Sequence, residues 1–430
     1  MRFMQQTPSR GFVGAYALVT CLFFAWGFIT SLVDPLVAAV KGIFHLSDVE
    51  AQLSASAFFI AYGVVSLPAA TLLRRAKSVP TVLAALVMMV VGCMIMLIAA
   101  NIAVYEIVLL GLFVLASGIT VLQVAANPLA AVLGPPERSH FRLTFSQAFN
   151  SLGTFIGPYL GAFLFLKGIE VKKGTIVTAA ARNHSLAGID RAFFWIAGLI
   201  LLIGLLIFAG RKLINSASPE RTGGSLGIAA AMSEAASAPW ALFGGLAIFL
   251  YVGAEVSIGT QMALFLNSTG VWNIALETAG KFVSLYWGGA MVGRLIGSAL
   301  LTKVPAPRLL ALFTAIACAL CVFVFSTGGA AAGYAALAIG LFNSIMFPVI
   351  FTITLERSSA SEEATSGFLC FSIVGGAAIP PLTGLVSQHT NYVVAFIVPA
   401  LCYAVLFVFA VSSAGAKRLL REEPQAVTIH

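Results

Sequence analysis

Apolar residues along this chain come in long blocks, and the polar ones that separate them come in short clusters. Charged side chains leave gaps of about 20 residues again and again, the length a helix needs to cross roughly 30 Å of hydrocarbon. The blocks predict twelve membrane-spanning helices, over residues 12–36, 52–73, 79–100, 104–132, 142–166, 192–214, 240–266, 280–301, 308–327, 331–355, 364–386 and 392–413. An even number of spans puts both termini on one side. The longest connection on that side is NSASPERTGGSLGIAAAMSEAASAP, residues 215–239, whose Ser, Ala and Gly content predicts a linker. It divides the chain into an N-terminal bundle, residues 1–214, and a C-terminal bundle with a short tail, residues 240–430.

The two bundles read as repeats. GTFIGPYLGAFL at 153–164 and GAAIPPLTGLV at 376–386 align through Pro158 and Pro381, which also brings Gly153 onto Gly376 and Gly161 onto Gly384. The fourth and tenth spans align through Pro128 and Pro348. The expected fold is therefore an all-α polytopic membrane protein with twelve transmembrane helices in two six-helix pseudo-repeat halves. Secondary transporters are organised in this way, with their site between the repeats near the midplane.

Composition agrees and narrows the class. With 60% hydrophobic and 9% charged residues, and a mean hydropathy of +1.00, the chain lies outside the range of soluble domains. Of 24 basic residues, 16 fall on the side of the termini, among them Arg74, Arg75, Lys77, Arg211, Lys212, Lys417 and Arg418. Seven fall opposite (Lys41, Lys167, Lys172, Lys173, Arg182, Arg191 and Lys281), and Arg294 lies within a span. The positive-inside rule then places both termini in the cytoplasm. Topology accounts for the net charge of +8, which gives no reason to expect nucleic acid. The first apolar run is too long for a signal peptide and lacks a small-residue cleavage site. All six cysteines sit inside apolar runs and read as core packing, the Cys318/Cys321 pair included, with no disulfide or metal expected. The five histidines fall in loops or tails.

Three ionisable residues interrupt the spans: Asp34, Glu255 and Arg294. A charge near the bilayer centre costs at least about 2.5–3.5 kcal/mol on the insertion scale, so each is a functional candidate. Asp34 follows Thr30 by one turn and Trp26 by two, and Arg294 shares a helix face with Trp287. For the acids the expected role is coupling or substrate contact. Arg294 has two open readings, a structural pair or gate latch and a direct contact. The amides also cluster. Thr120, Gln123 and Asn127 share one face of the fourth span, just before Pro128. In the fifth, Gln147, Asn150, Ser151 and Thr154 form one stripe, while Ser146, Asn150, Gly153, Gly157 and Gly161 recur at the spacing of close helix approach. Amides can bridge helices, and they can also bind neighbouring hydroxyls of a sugar, each offering two donors and two acceptor sites without charge. Trp26 or Trp287 could cover the sugar's less polar face. The set of amides, aromatics and lone acids points to a polyol site, with Gln123 and Asn127 facing a central cavity around which Pro128 bends the helix.

These residues also carry a resemblance. LFFAWGFITSLVD, TVLQVAANP, RLTFSQAFNSLGTFIGP, YVGAEVSIG and YWGGAMVGRLIGS resemble motifs of the fucose–proton symporter family of the major facilitator superfamily, nearest its glucose/galactose branch. The resemblance implies the twelve-helix facilitator fold, uptake of a hexose across the bacterial inner membrane, and coupling to H⁺ or Na⁺ with no other cofactor. It gives the position of Asp34 to coupling and that of Gln147 to sugar binding. Two departures stand out: Val33 replaces the family's usual Asn, and Gln123 replaces the Glu of fucose permeases. The expected site thus comprises Asp34 and Glu255 for the ion, with Trp26, Thr30, Gln123, Asn127, Gln147, Asn150, Glu255 and Trp287 for the sugar. Arg294 and Pro128 would serve gating or structure. The partners expected are a sugar and the bilayer, and the chain is expected to act as a monomer. The rival readings are a facilitator-fold carrier or exporter of another metabolite or drug, and a non-transporting membrane sensor or enzyme. The last is disfavoured because no span carries a nucleophile–base or metal-ligand cluster.

Overall fold

Pro35 and Pro348 interrupt two of the helices at membrane depth, and both breaks lie beside the polar residues singled out above. A computed structural model describes residues 10–76, 78–133, 139–169, 178–217 and 227–417, and all their regular structure is helical. Eleven of the described helices are long and apolar enough to cross a membrane. The eighth span, Leu276–Leu301, is long enough, but its glycines, Trp287 and Arg294 dilute its hydropathy. With it the bundle has the twelve helices the apolar blocks predict.

Several boundaries differ from the sequence reading. The first span runs on past Asp34 as Arg10–Ser31 and Val33–Phe44, and ends where His45 takes a left-handed conformation, φ 55°. The second, Asp48–Ala76, opens on a capping box. Ser47 N–H donates to Glu50 Oε2 at 2.8 Å, and Glu50 N–H donates to Ser47 Oγ at 3.2 Å. The sixth, Ala179–Ala209, begins well before its apolar run because Thr178 caps it, accepting from Ala181 N–H. His184 therefore stands inside a helix rather than in a loop, though exposed. Polar first turns of this kind lie beyond the hydrocarbon and carry no apolar signal.

The remaining spans are Ser78–Ile102, Tyr105–Val132, Ser139–Phe165, Pro239–Asn267 and Ala306–Thr327. The tenth is split into Gly329–Asn343 and Met346–Arg357. The eleventh runs through Glu362–Phe371 and Gly375–His389, and the twelfth is Ile397–Gly415. Of the linker, short helices Arg211–Ala217 and Ile228–Ala236 are described, and residues 218–226 lie outside the described residues. Glu234 of the second linker helix accepts from Ser361 N–H at 2.7 Å and Ser361 Oγ at 3.0 Å, tying it to the start of the eleventh span.

Packing repeats with the sequence. Span 1 packs on 5 as 7 packs on 11, 2 on 4 as 8 on 10, and 3 on 6 as 9 on 12. The two sets meet through spans 2 and 11 and through 5 and 8, which are equivalent contacts under the repeat. Close approach of spans 1 and 5 depends on glycine. A Cβ at Gly153 would lie 2.5 Å from the Phe24 carbonyl oxygen, and one at Gly157 would overlap Ser31.

Candidate functional site

The first break follows from Pro35, which has no N–H to offer the Ser31 carbonyl and so interrupts the helix at Leu32. The irregular turn presents Asp34, which is 5% exposed. Across the bundle Trp287 Nε1 donates to Asp34 Oδ2 at 2.6 Å, joining span 1 to span 8. Gly259 of span 7 leaves room for the pair, since a Cβ there would sit 3.3 Å from both Asp34 Oδ1 and the Trp287 ring. Beside them is a cavity of about 30 Å³ lined by Thr30, Ser31, Val33, Asp34, Phe59, Thr154, Val256 and Trp287. That volume accepts water but is far below the roughly 300–1,000 Å³ of small-molecule pockets, so the bundle is closed down around it. Thr30 Oγ1 is buried there without a hydrogen-bond partner, an opening for a ligand hydroxyl or water.

Glu255 sits differently. Tyr251 Oη, one turn earlier, donates to Glu255 Oε1 at 2.7 Å, and Tyr286 Oη donates to the Glu255 carbonyl at 3.2 Å. Asn343 Nδ2 donates to Tyr286 Oη at 2.7 Å, and Tyr403 Oη donates to Asn343 Oδ1 at 2.7 Å. Among the described residues, Glu255 thus belongs to a hydrogen-bond network drawn from spans 7, 8, 10 and 12.

The amides singled out in the first six spans do not line this cavity, so Gln123 and Asn127 do not face it as the sequence pattern led one to expect. Gln123 Nε2 donates to Tyr62 Oη at 2.9 Å, and Gln147 Nε2 reaches Asn127 Oδ1 at 3.4 Å, a long and weak bond. Gln123, Asn127 and Gln147 all remain partly exposed. Asn150 Nδ2 donates to the Phe23 carbonyl at 3.2 Å, binding span 5 to span 1. Trp26 is buried against Phe23, with ring centroids 4.1 Å apart, and is not among the residues lining the cavity. Pro128 lies within the helix Tyr105–Val132, but its side chain is outside the described residues. Arg294 Nη1 donates to Ser151 Oγ at 2.7 Å and its Nε to the Ser344 carbonyl at 3.3 Å. It therefore joins span 8 to span 5 of the other half.

Among the described residues, the side-chain hydrogen bonds between the two halves run from the middle of the bundle toward the end opposite the termini. Beyond Arg294–Ser151 and Trp287–Asp34 come Thr260 Oγ1 to Gln52 Oε1 at 2.8 Å and Ser56 Oγ to the Ala377 carbonyl at 2.7 Å. Furthest out, Lys41 bonds Asp48 and Tyr392, Tyr392 Oη donates to Asp48 Oδ1 at 2.6 Å, and Ser387 Oγ donates to Asp48 Oδ2 at 3.0 Å. That end is latched. A recess of about 480 Å³ beside it, lined by Ser268, Thr327, Asn391 and their neighbours, carries no charged group and lies away from both carboxylates.

Sequence reasoning did not single out Tyr62, Phe59, Tyr251, Tyr286 or Asn343. One signal was present for Asn343: with Pro128 set on Pro348 it occupies the position of Gln123.

Comparison with known proteins places this geometry in context. Residues 18–368 match the Major Facilitator Superfamily. The chain is 37% identical over 404 residues to the glucose/galactose transporter of Brucella abortus biovar 1, covering 93% of this chain and 94% of that one. It is 30% identical over 414 residues to the L-fucose-proton symporter of Escherichia coli K12, covering 94% and 93%. Among solved structures it resembles the facilitator FucP in the outward conformation, with a TM-score of 0.69, 27% identity, and coverage of 95% of this chain and all of that one.

Proposed function

Because the chain belongs to the major facilitator superfamily, we propose that it imports a hexose such as glucose, galactose or fucose by alternating access, coupled to H⁺ or Na⁺. In this reading residues 1–214 and 240–430 are the two moving bundles and 215–239 their cytoplasmic linker. The positive-inside bias puts the termini in the cytoplasm of a bacterial inner membrane, so the latched end faces the periplasm. The chain acts as a monomer and makes or breaks no covalent bond.

The observation that carries this reading is the Trp287–Asp34 bond, which spans the two bundles beside a small, hydroxyl-lined cavity. A buried carboxylate that loses its donor is costly unless another group replaces it. A proton removes the charge, a sodium ion balances it, and a sugar hydroxyl restores a donor. Separation of Trp287 from Asp34 is therefore inexpensive only when ligands are present, which discourages empty or half-loaded movement. Thr30, with its unpartnered hydroxyl, is a sugar contact together with Gln123, Asn127 and Gln147. Glu255 meets the sugar from the other half and responds to the ion. Trp287 supplies the apolar face, Trp26 and Asn150 back the pocket through span 1, and Arg294 is the latch nearest the cytoplasm.

Purified protein in proteoliposomes should accumulate labelled glucose, galactose or fucose under an imposed H⁺ or Na⁺ gradient. Absence of uptake and of counterflow for all three sugars would overturn the substrate class.

A further inference from the structure

Span 10 ends its first helix at Asn343 and restarts at Met346. Pro348 stands four residues after Ser344 and has no N–H for that carbonyl. Two side chains take over the exposed backbone. Arg294 Nε donates to the Ser344 carbonyl at 3.3 Å, and Tyr251 Oη lies 3.1 Å from the Asn343 carbonyl. Ser344 Oγ is buried without a partner, so the turn is incompletely tied. The same Tyr251 oxygen is 2.7 Å from Glu255 Oε1. One hydroxyl thus faces two acceptors, and it has one proton to give.

The geometry points to Tyr251 as a positioning residue that transmits the protonation state of Glu255 to the break in span 10. When Glu255 is ionised, its carboxylate is the stronger acceptor and holds the Tyr251 proton; the Asn343 carbonyl then lacks that donor. When Glu255 takes up a proton, its own O–H donates to Tyr251 Oη, and the Tyr251 proton turns to the Asn343 carbonyl. The chain of bonds becomes Glu255 O–H to Tyr251 O–H to Asn343 C=O, with one proton gained at Glu255 and none lost elsewhere. The hinge is tied when Glu255 is neutral and looser when it is charged.

The groups that face Glu255 leave this assignment intact. On its own helix there is Tyr251; from span 8 come Tyr286 and Arg294, and from span 1 comes Asp34. Cys321 and Tyr403 stand behind Tyr286. Among the described residues, Tyr251 alone bonds both the carboxylate and the broken backbone. The repeat offers a contrast. In the first half Gln123, at the position of Asn343, likewise pairs with a span-2 tyrosine, Tyr62, but among the described residues no carboxylate bonds that pair. The hydrogen-bond switch is therefore lodged in one half, and the charge on Asp34 reaches it through space rather than through a shared hydrogen bond. The inference rests on the proposed transport cycle only in taking span 10 to flex.

Deuterium exchange of residues 341–350 tests this without any sugar, so its outcome is independent of the uptake assays. Exchange would be measured in the full-length protein in detergent at about pH 5 and about pH 9, either side of the range in which a buried carboxyl titrates, and corrected for intrinsic amide rates. In the wild type, protection of this segment should be roughly threefold to tenfold greater at the lower pH, the equilibrium value of one net hydrogen bond. Tyr251→Phe should abolish the difference. Glu255→Gln, whose amide donates to Tyr251 as the neutral carboxyl does, should be protected at both values. Tyr286→Phe, which removes a neighbouring hydroxyl of the same network, should keep the wild-type difference. A pH response that survives Tyr251→Phe, or that Tyr286→Phe removes equally, would overturn the assignment. If Tyr251→Phe does not fold, a Glu255→Gln protein that remains unprotected at low pH overturns it alone.

Discussion

The two intramembrane carboxylates are held in opposite ways. Asp34 is bonded across the bundle by Trp287 of the other half, whereas Glu255 is bonded by Tyr251 of its own helix and framed by Tyr286, Asn343 and Tyr403 of its own half. Any rocking of one half against the other must stretch the first contact and can leave the second intact. A carboxylate placed like Asp34 senses the relative position of the halves, and one placed like Glu255 senses the interior of a single half. Coupling needs the former property, because the ion must change the cost of moving the halves and not merely the stability of one of them.

The contrast can be broken most severely at Asp34. Asp34→Asn keeps the shape and an acceptor for Trp287 but cannot take up or balance a charge. Uptake should stop at equilibrium under any ion gradient while counterflow continues. Next in size, Trp287→Phe removes the donor from the other half. A hydrogen bond to a charged group is worth on the order of 1.5–3 kcal/mol, so coupled uptake should fall roughly tenfold to a hundredfold. If Trp287 also lines the sugar pocket, the same variant should lose the fluorescence change produced by saturating sugar. A signal unchanged in Trp287→Phe would move the sugar elsewhere.

Smaller effects sharpen the picture away from the carboxylates. Gln147→Ala should leave the protein inserted and raise the sugar dissociation constant, by an amount corresponding to about 1–3 kcal/mol for one lost buried partner. An unaltered affinity in a direct titration would remove Gln147 from the site. Smallest is Lys41→Met in the far-end latch. Lys41 and Asp48 are largely buried, but Asp48 keeps Tyr392 and Ser387 as donors when Lys41 is lost, so counterflow rates should change by only a few-fold, and abolition of transport would show that the latch does more than hold the end shut.

Much of this arrangement was legible in the residue pattern. Apolar blocks predicted the helices, Pro128 and Pro348 the repeat, and the small-residue stripe of span 5 a close helix approach; that its partner is span 1, and which other helices pair, came only from the structure. The lone acids were legible because charge is rare in lipid. Their partners were not. Tyr251 and Tyr286 sit in apolar helices where a tyrosine looks like any core aromatic, and which hydroxyl meets which acceptor depends on helix rotation that periodicity does not specify. Asn150 reads as a pocket amide by spacing, yet its NH₂ is engaged by the Phe23 carbonyl, because the glycines around it bring span 1 within reach. The early start of span 6 was hidden because its first turns are polar and capped by Thr178.

The most direct measurement is ion movement driven by sugar. Adding hexose to de-energised proteoliposomes should carry H⁺ or Na⁺ inward with the wild type and, at saturating sugar, with Glu255→Gln. Asp34→Asn should exchange labelled sugar yet move no ion. Ion movement that persists in Asp34→Asn and disappears in Glu255→Gln would contradict the assignment and give coupling to the seventh span.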